Sequence, residues 1–338
     1  MTENLNIAVV GATGLVGETM LEILAARKFT AGRVHAVASE RSFGKTVEFG
    51  RRELPVEMLS DFDFSKTDLA LFSAGAAVSA KYAEKAAAEG CVVIDNTSYF
   101  RNDDDVPLIV PEVNENEIQN YRQRNLIANP NCSTIQLVVV LKPLHDAAGI
   151  RSVRVSTYQS VSGAGRKKLE ELATQSANLL AGNRREDGNP AIAFNVWPQI
   201  DEFQDNDYTR EEMKIVWETR RLLGLPELPV SATAVRVPVF FGHAEAVAIT
   251  TEQPLSARQA RELLSHAPGV KLMDAPQDKI FPTPALDTPN TDVVFVGRVR
   301  EDLVGEHGLN LWIVADNVRK GAALNSIQIA EILVKAYL

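Results

Sequence analysis

Near the N-terminus, the run Leu5-Asn6-Ile7-Ala8-Val9-Val10 passes directly into Gly11-Ala12-Thr13-Gly14-Leu15-Val16-Gly17. The run is short and apolar, as suits a strand buried on both faces of a parallel sheet. Met20, Leu21, Ile23, Leu24 and Ala25 then recur at helical spacing. Strand, glycine turn and helix in that order constrain a chain strongly. Parallel strands need crossover helices, and an anion fits where the helix N-terminus meets the strand end. Gly11 permits the tight turn, Gly14 lets backbone approach a pyrophosphate, and Gly17 allows close helix–strand packing. The spacing G-x-x-G-x-x-G departs from G-x-G-x-x-G, so a glycine turn with only a topological role stays open as the alternative.

The next elements extend the same architecture. Val34-His35-Ala36-Val37-Ala38 is a second strand ending at Ser39-Glu40-Arg41-Ser42. An acidic residue at this strand end suits a ribose hydroxyl, whereas Arg41 and Ser42 suit a 2′-phosphate. That favours NADP, although Glu40 pulls the other way. Strands are expected at Leu69-Ala70-Leu71-Phe72 and over residues 91–95, with a helix over 79–89 between them. Alternating β and α units of this length indicate a doubly wound parallel sheet of the Rossmann type. Ser73-Ala74-Gly75-Ala76-Ala77 is expected as a small-residue loop where a flat ring can lie. Asn96-Thr97-Ser98-Tyr99-Phe100-Arg101 puts an arginine beyond a strand end, either as an anion ligand or as a surface charge. Asp103-Asp104-Asp105 reads as a solvated loop without metal-ligand spacing.

At 338 residues, the chain is too long for one comfortable core, so two domains are expected. The formal net charge of −9 argues against nucleic acid or an anionic membrane surface as partner. An anionic small substrate remains compatible if a few arginines share one pocket. Two cysteines in unrelated contexts fit a reducing cytoplasm better than a disulfide framework. The polar start at Met1-Thr2-Glu3-Asn4 carries the expectation of no signal peptide, and no stretch reads as membrane-spanning.

Asn129-Pro130-Asn131-Cys132-Ser133-Thr134 separates Leu126-Ile127-Ala128 from the long apolar run Ile135-Gln136-Leu137-Val138-Val139-Val140-Leu141. The second run suits a buried helix ending by Gly149, with Pro143 inside it. Cys132 then falls in its first turn, with Asn131, Ser133 or Thr134 as capping groups. A helix N-terminus carries about half a positive charge and favours the thiolate, the nucleophilic form. The bland alternative is a space-filling thiol. That is the reading given to Cys91, in the buried run Cys91-Val92-Val93-Ile94.

Beyond Gly149 the pattern changes. Val153-Arg154-Val155-Ser156-Thr157-Tyr158-Gln159 alternates like a half-buried strand, and Ser160-Val161-Ser162-Gly163-Ala164-Gly165 turns into a helix from Arg166 to Leu180. Residues 182–189 read as an exposed loop. Thr209 and Glu212 form a capping box, and Glu211 and Lys214 are i,i+3 neighbours of a kind that is usually a surface ion pair. In Val235-Arg236-Val237-Pro238-Val239-Phe240-Phe241-Gly242-His243, a regular strand puts Arg236, Pro238 and Phe240 on one face. His243 falls on the other unless Gly242 turns the chain, and a satisfied structural histidine is the alternative. No histidine shows ligand spacing, so no metal is expected. A last strand, Asn310-Leu311-Trp312-Ile313-Val314-Ala315, leads to a helix capped by Asp316 or Asn317. Its apolar positions are Ala323, Ile327, Ala330, Val334 and Leu338, and the first domain is the expected partner of that face.

Taken in order, these segments resemble the aspartate-β-semialdehyde dehydrogenase family over most of the chain. Gly11-Ala12-Thr13-Gly14-Leu15-Val16-Gly17 resembles its cofactor turn, Asn131-Cys132-Ser133-Thr134 its nucleophile motif, and Arg236 through Gly242-His243 its substrate-arginine and acid/base segment. Gln159, Ser162-Gly163 and Asp316-Asn317-Val318-Arg319-Lys320-Gly321 occur in the matching order; Ala244 departs from the serine often found after the histidine. The resemblance implies a Rossmann-like doubly wound domain over 1–130 and 318–338, with the C-terminal helix returning to it. It implies an α+β catalytic and dimerisation domain over 131–317. The implied reaction is NADPH-dependent reductive dephosphorylation of L-4-aspartyl phosphate to L-aspartate 4-semialdehyde through a cysteine thioester, a step of lysine, threonine, methionine and diaminopimelate biosynthesis.

The implied roles are Cys132 as nucleophile, His243 as acid/base and Gln159 as orienting group. NADP(H) would contact Gly11, Thr13, Gly14, Leu15, Val16, Arg41, Ser42, Ser162, Gly163 and Asn317. Substrate and phosphate would meet Arg101, Arg236, Lys214, Glu211 and Gln159. A cytoplasmic homodimer is implied, with a tetramer as a further option. The rival readings are another acyl-phosphate reductase, such as N-acetylglutamyl-phosphate reductase, and a non-catalytic nucleotide-binding paralogue. The latter is disfavoured because Cys132, Arg236 and His243 are all present.

Overall fold

Residues 5–29, 32–183 and 191–338 are described by the computed structural model. Contacts divide the chain into two units, residues 1–131 with 322–338 and residues 132–321.

The first unit opens with β1 (Ile7–Val10), α1 (Leu15–Arg27), β2 (Val34–Ala38), β3 (Thr46–Phe49) and β4 (Arg52–Met58). It continues through β5 (Leu69–Phe72), α2 (Ala76–Ala88), β6 (Val92–Asp95), α3 (Pro111–Asn114) and β7 (Leu126–Ala128). The sheet order is β3-β4-β2-β1-β5-β6-β7, parallel except for the β3–β4 pairing. The chain order reverses on either side of β1, which puts the glycine turn at a switch point where such sheets bind ligands. β1, β5 and β6 are buried along their whole length, as the continuous apolar runs require.

The second unit holds α4 (Cys132–Ala148), β8 (Ile150–Gln159), α5 (Arg166–Leu180), α6 (Arg210–Leu223), β9 (Val230–Arg236) and β10 (His243–Thr251). α7 (Ala257–His266), β11 (Val270–Leu272), β12 (Val294–Glu301) and β13 (Gly308–Ala315) follow. They form a mixed sheet ordered β11-β12-β13-β10-β8-β9, with α4, α6 and α7 packed on it. Along β8, Val153, Val155, Thr157 and Gln159 are buried while Arg154 and Tyr158 are exposed, so the expected alternation holds. α8 (Leu324–Ala336) packs with α1 and β6 in the first unit.

Several sequence expectations shift. The helix expected over 79–89 starts at Ala76, so Ala76 and Ala77 belong to its first turn rather than to a loop. The terminal helix does not start at its cap: a π-helical turn, Arg319–Ala323, precedes α8, although Asp316 Oδ1 does accept from the Val318 and Arg319 N–H groups. Its buried stripe ends at Leu333, leaving Val334 half-buried and Leu338 exposed. The loop expected over residues 182–189 lies, beyond Asn183, outside the described residues.

Candidate active site

In the first unit, the glycine turn has the tightness its sequence implies. Gly11 has φ of 93°, and its carbonyl accepts from the Gly14 N–H. A Cβ on Gly17 would lie 2.2 Å from Gly11 O, so only glycine lets α1 approach β1 this closely. Gly14 caps α1 without a side chain, which leaves Leu15, Val16 and their N–H groups at the helix start. The Thr13 and Ser42 hydroxyls are 3.1 Å apart, drawing the end of β2 to this turn; Arg41 beside them is exposed. The arrangement fits a dinucleotide's phosphates.

The segment after β6 is also built firmly. Asp95, fully buried, accepts from Ser79 Oγ, the Thr97 N–H and Thr97 Oγ1. Arg101 is largely buried, and its Nη2 donates to Asn96 O, so it is not the surface charge of the alternative reading. Asn325 donates to Asn129, and Asn129 donates in turn to Asn96, joining α8 to the loops after β7 and β6. The acidic run near it is held by Arg124, which bridges Asp103 and Asp105.

In the second unit the chemistry-bearing residues gather where four strand ends meet. The register pairs Gln159 with Arg236 at the ends of β8 and β9, and His243 with Ala315 between β10 and β13. β9 stops at Arg236 rather than continuing to Phe240 as the alternation suggested. Gly242, at φ of 84°, restarts the chain as β10 with His243 facing the covered side of the sheet. A Cβ on Gly242 would lie 2.4 Å from Thr288 Oγ1, so no other residue fits this corner. Cys132 is the first residue of α4 and packs on Gly321, where a Cβ would come within 2.9 Å of its own. The charges of Cys132 and Arg236 are close enough to stabilise one another.

Hydrogen bonds tie these residues together. Gln159 Nε2 donates to Ser133 Oγ, beside Cys132, at 2.9 Å and to Glu211 Oε1 at 3.2 Å. The Ser133 hydroxyl thus ties the first turn of α4 to the end of β8. Glu211 also meets Lys214 at 3.2 Å, and Lys214 meets Asp201 at 2.8 Å. Glu211 is buried, not solvated as such pairs usually are, because the capping box from Thr209 to Glu212 fixes the start of α6 against the sheet. Burial pulls the Lys214 ammonium down, but the Glu211 and Asp201 carboxylates outweigh it and leave its pKa raised. Arg236 donates to Ser160 O at 2.6 Å. Burial lowers its pKa despite the opposing pull of Glu211 and Cys132.

His243 is fully buried, and burial followed by the Arg236 charge holds its pKa well below the ordinary histidine value. Its ring is neutral near pH 7. Nδ1 receives the Ser160 N–H at 3.1 Å, and a backbone N–H can only donate, so the proton of the neutral ring sits on Nε2. Nε2 has no hydrogen-bond partner among the described residues and lies 3.2 Å from where a Gly163 Cβ would be. Arg236 Nη1 lies 3.1 Å from that same point. Gly163 therefore leaves open the space that a guanidinium and an imidazole N–H share. Asn317 Oδ1 accepts from Ser160 Oγ, Ser162 Oγ and the Gly242 N–H, locking this corner.

Sequence reasoning missed Ser160. It supplies a hydroxyl 3.1 Å from His243 Nδ1, whereas Ala244 lies on the opposite face of β10 and could not. A serine following Gln159 at a strand end was the available signal. It also missed Asn129 and Asn325, whose partners come from distant loops.

Comparison with known proteins bears on the family and the fold. Residues 6–121 match the semialdehyde dehydrogenase NAD binding domain, and residues 141–320 match the semialdehyde dehydrogenase dimerisation domain. The aspartate-semialdehyde dehydrogenase of Legionella pneumophila is 54% identical, covering 100% of this chain and 98% of its own length. The crystal structure of aspartate semialdehyde dehydrogenase II complexed with ASA from Vibrio cholerae superposes with a TM-score of 0.96 at 52% identity, covering 99% of this chain and 100% of that one. The Candida albicans aspartate semialdehyde dehydrogenase with NADP superposes with a TM-score of 0.74 at 26% identity, over 98% of each chain. With the glycine turn in one unit and a thiol, an arginine and a histidine converging in the other, the chain belongs to the aspartate-semialdehyde dehydrogenase family.

Proposed function

We propose that the chain catalyses the NADP-dependent reductive dephosphorylation of L-4-aspartyl phosphate to L-aspartate 4-semialdehyde, a step of amino-acid biosynthesis. The observation that carries the reading is that Arg236 and the Nε2 of His243 meet around Gly163, with Cys132 close enough to act on the Arg236 charge. Cys132, whose thiolate form the helix start and the Arg236 charge favour, forms a bond to the acyl carbon while the carbon–oxygen bond to phosphate breaks. The product is a thioester on Cys132. Arg236 suits bidentate capture of the substrate carboxylate, and Gln159 orients the acyl group beside Cys132. Lys214 with Glu211, and Arg101 from the first unit, are assigned to substrate and phosphate.

The His243 Nε2–H suits donation to the carbonyl oxygen as charge develops there. Acting instead as base for the thiol requires the other tautomer, in which Nδ1 gives up the Ser160 N–H bond and its own N–H donates to Ser160 Oγ. The dinucleotide supplies the hydride when bound, held by Gly11, Thr13, Gly14, Leu15 and Val16, with Ser162, Gly163 and Asn317 assigned to its nicotinamide end. Arg41 and Ser42 favour a 2′-phosphate, hence NADP over NAD. A second copy of the chain is assigned to the open sheet face bearing Tyr158 and Trp312, whose rings lie 5.6 Å apart.

The test is oxidation of aspartate semialdehyde with and without phosphate, with NADP and with NAD. The expected result is phosphate-dependent NADP reduction that Cys132→Ala abolishes while still binding NADPH. Activity without phosphate, or near-normal turnover by Cys132→Ala, overturns the reaction; a preference for NAD overturns the cofactor assignment.

A further inference from the structure

Glu245 is a charged residue type in a strand where the reaction assigns it nothing. It is fully buried on β10, two residues after His243, and lies opposite Thr157 of β8 and Ile313 of β13. No ammonium or guanidinium partners it among the described residues, and neither carboxylate oxygen has a hydrogen bond of strict geometry. Gln136, also fully buried, faces it from α4 closely enough for its amide to stabilise the carboxylate, and its own polar atoms have no other partner of strict geometry. A carboxyl so placed keeps its proton, because burying an unpaired charge is far costlier than burying the acid.

The position of this pair is informative. α4 packs on β10, and the two run in the same direction. At one end Gln159, from the strand end beside His243, reaches Ser133; at the other, the Glu252 N–H just beyond β10 donates to Ala148 O at the end of α4. Cys132 and Gln136 are four residues apart, one turn along the same helix face, a rise of about 6 Å. His243 and Glu245 are two residues apart on one strand face, a rise of about 6.6 Å. The two steps match in length, so the contact of Gln136 with Glu245 lies one step further along both elements than Cys132 and His243.

We propose that Glu245 is a positioning residue which, paired with Gln136, sets the register of the Cys132 helix against the His243 strand. Apolar contacts alone specify such a register loosely, whereas two buried polar side chains facing each other between helix and sheet match in one alignment only. The inference rests on Cys132 and His243 being the reacting groups.

Three variants of the full-length enzyme test it, read by steady-state kinetics and by the pH dependence of Cys132 alkylation with iodoacetamide, mapped by mass spectrometry. Wild-type turnover checks the underlying reaction, and alkylation reports the thiol's surroundings without it. In Glu245→Leu, kcat should fall at least about tenfold and the apparent thiol pKa should shift, with the KM for NADPH unchanged. Glu245→Gln, and the exchange Gln136→Glu with Glu245→Gln, should keep kcat within about twofold and the alkylation profile of wild type, since each retains a donor and an acceptor. If Glu245→Leu does not fold, Gln136→Leu carries the same expectation. Wild-type kcat and alkylation in the leucine variant, or glutamine and exchanged variants as impaired as leucine, would overturn the proposal.

Discussion

The Ser160 N–H donates to Nδ1 of His243 from 3.1 Å and thereby decides where the imidazole keeps its proton. Three donors on Asn317 Oδ1 hold Ser160, Ser162 and Gly242 in place, so the ring is oriented from both flanking segments. Burial and the Arg236 charge then keep it from gaining a second proton.

That gives a prediction for pH. An unperturbed histidine would charge as pH falls through about 6.5 and produce an acid limb in kcat there. With its pKa depressed, His243 stays neutral through that value, so kcat should show no histidine step near 6.5. Arg236→Leu removes the second cause of the depression, and any step should therefore move upward in that variant. The measurement is kcat against pH at saturating substrate; a wild-type inflection at 6.5 would contradict the burial argument.

The same arginine should dominate substrate binding. Its guanidinium is anchored by one bond to Ser160 O, which leaves further N–H groups for a carboxylate. A charged hydrogen bond contributes about 1.5–3 kcal/mol, so Arg236→Leu should lower kcat/KM about 10- to 150-fold. Most of the change should appear in the KM for semialdehyde. An unchanged KM would show that the carboxylate binds elsewhere.

Gly17 offers a test in the first unit alone. A methyl group there would sit 2.2 Å from Gly11 O, so either α1 or the glycine turn must shift. Overpacking of this kind costs about 1–3 kcal/mol. Gly17→Ala should lower the thermal midpoint and weaken NADPH binding measured by fluorescence, while Cys132 alkylation keeps its wild-type pH profile. Full NADPH affinity in a folded Gly17→Ala variant would mean that the turn has only a topological role.

How much of this was legible in the sequence follows from the range of each interaction. The strands β1, β2 and β5 could be read because burial on both faces writes itself as an unbroken apolar run. The capping box of α6 was equally readable, since Thr209 and Glu212 are three residues apart and need nothing else. The end of β9 was not, because Pro238 and Gly242 allowed several paths and the close packing against Pro284 and Thr288 chose one. The burial of Glu211 was hidden for the same reason. An i,i+3 pair looks like a surface pair until Gln159, 52 residues away, donates to it. Ser160 offered only its place after a strand-end glutamine, and Glu245 carried no local signal, because its surroundings come from Thr157 and Ile313 across the sheet.

Glu245 leaves a mark on stability as well as register. Burial raises its pKa well above the ordinary value of 4.5, so the folded state keeps a proton that the unfolded chain releases. The sign follows directly: the carboxyl's contribution is fully present below pH 4.5 and is lost as pH rises toward the folded-state pKa. Over that interval the cost approaches about 1.4 kcal/mol per pH unit. Glu245→Gln, which cannot ionise, should therefore gain on wild type as pH rises. Thermal midpoints of the two proteins at pH 5 and pH 8 check this, and the difference in favour of glutamine should be larger at pH 8. A difference independent of pH would mean that Glu245 is ionised in the folded protein, with a cation or ordered water supporting it.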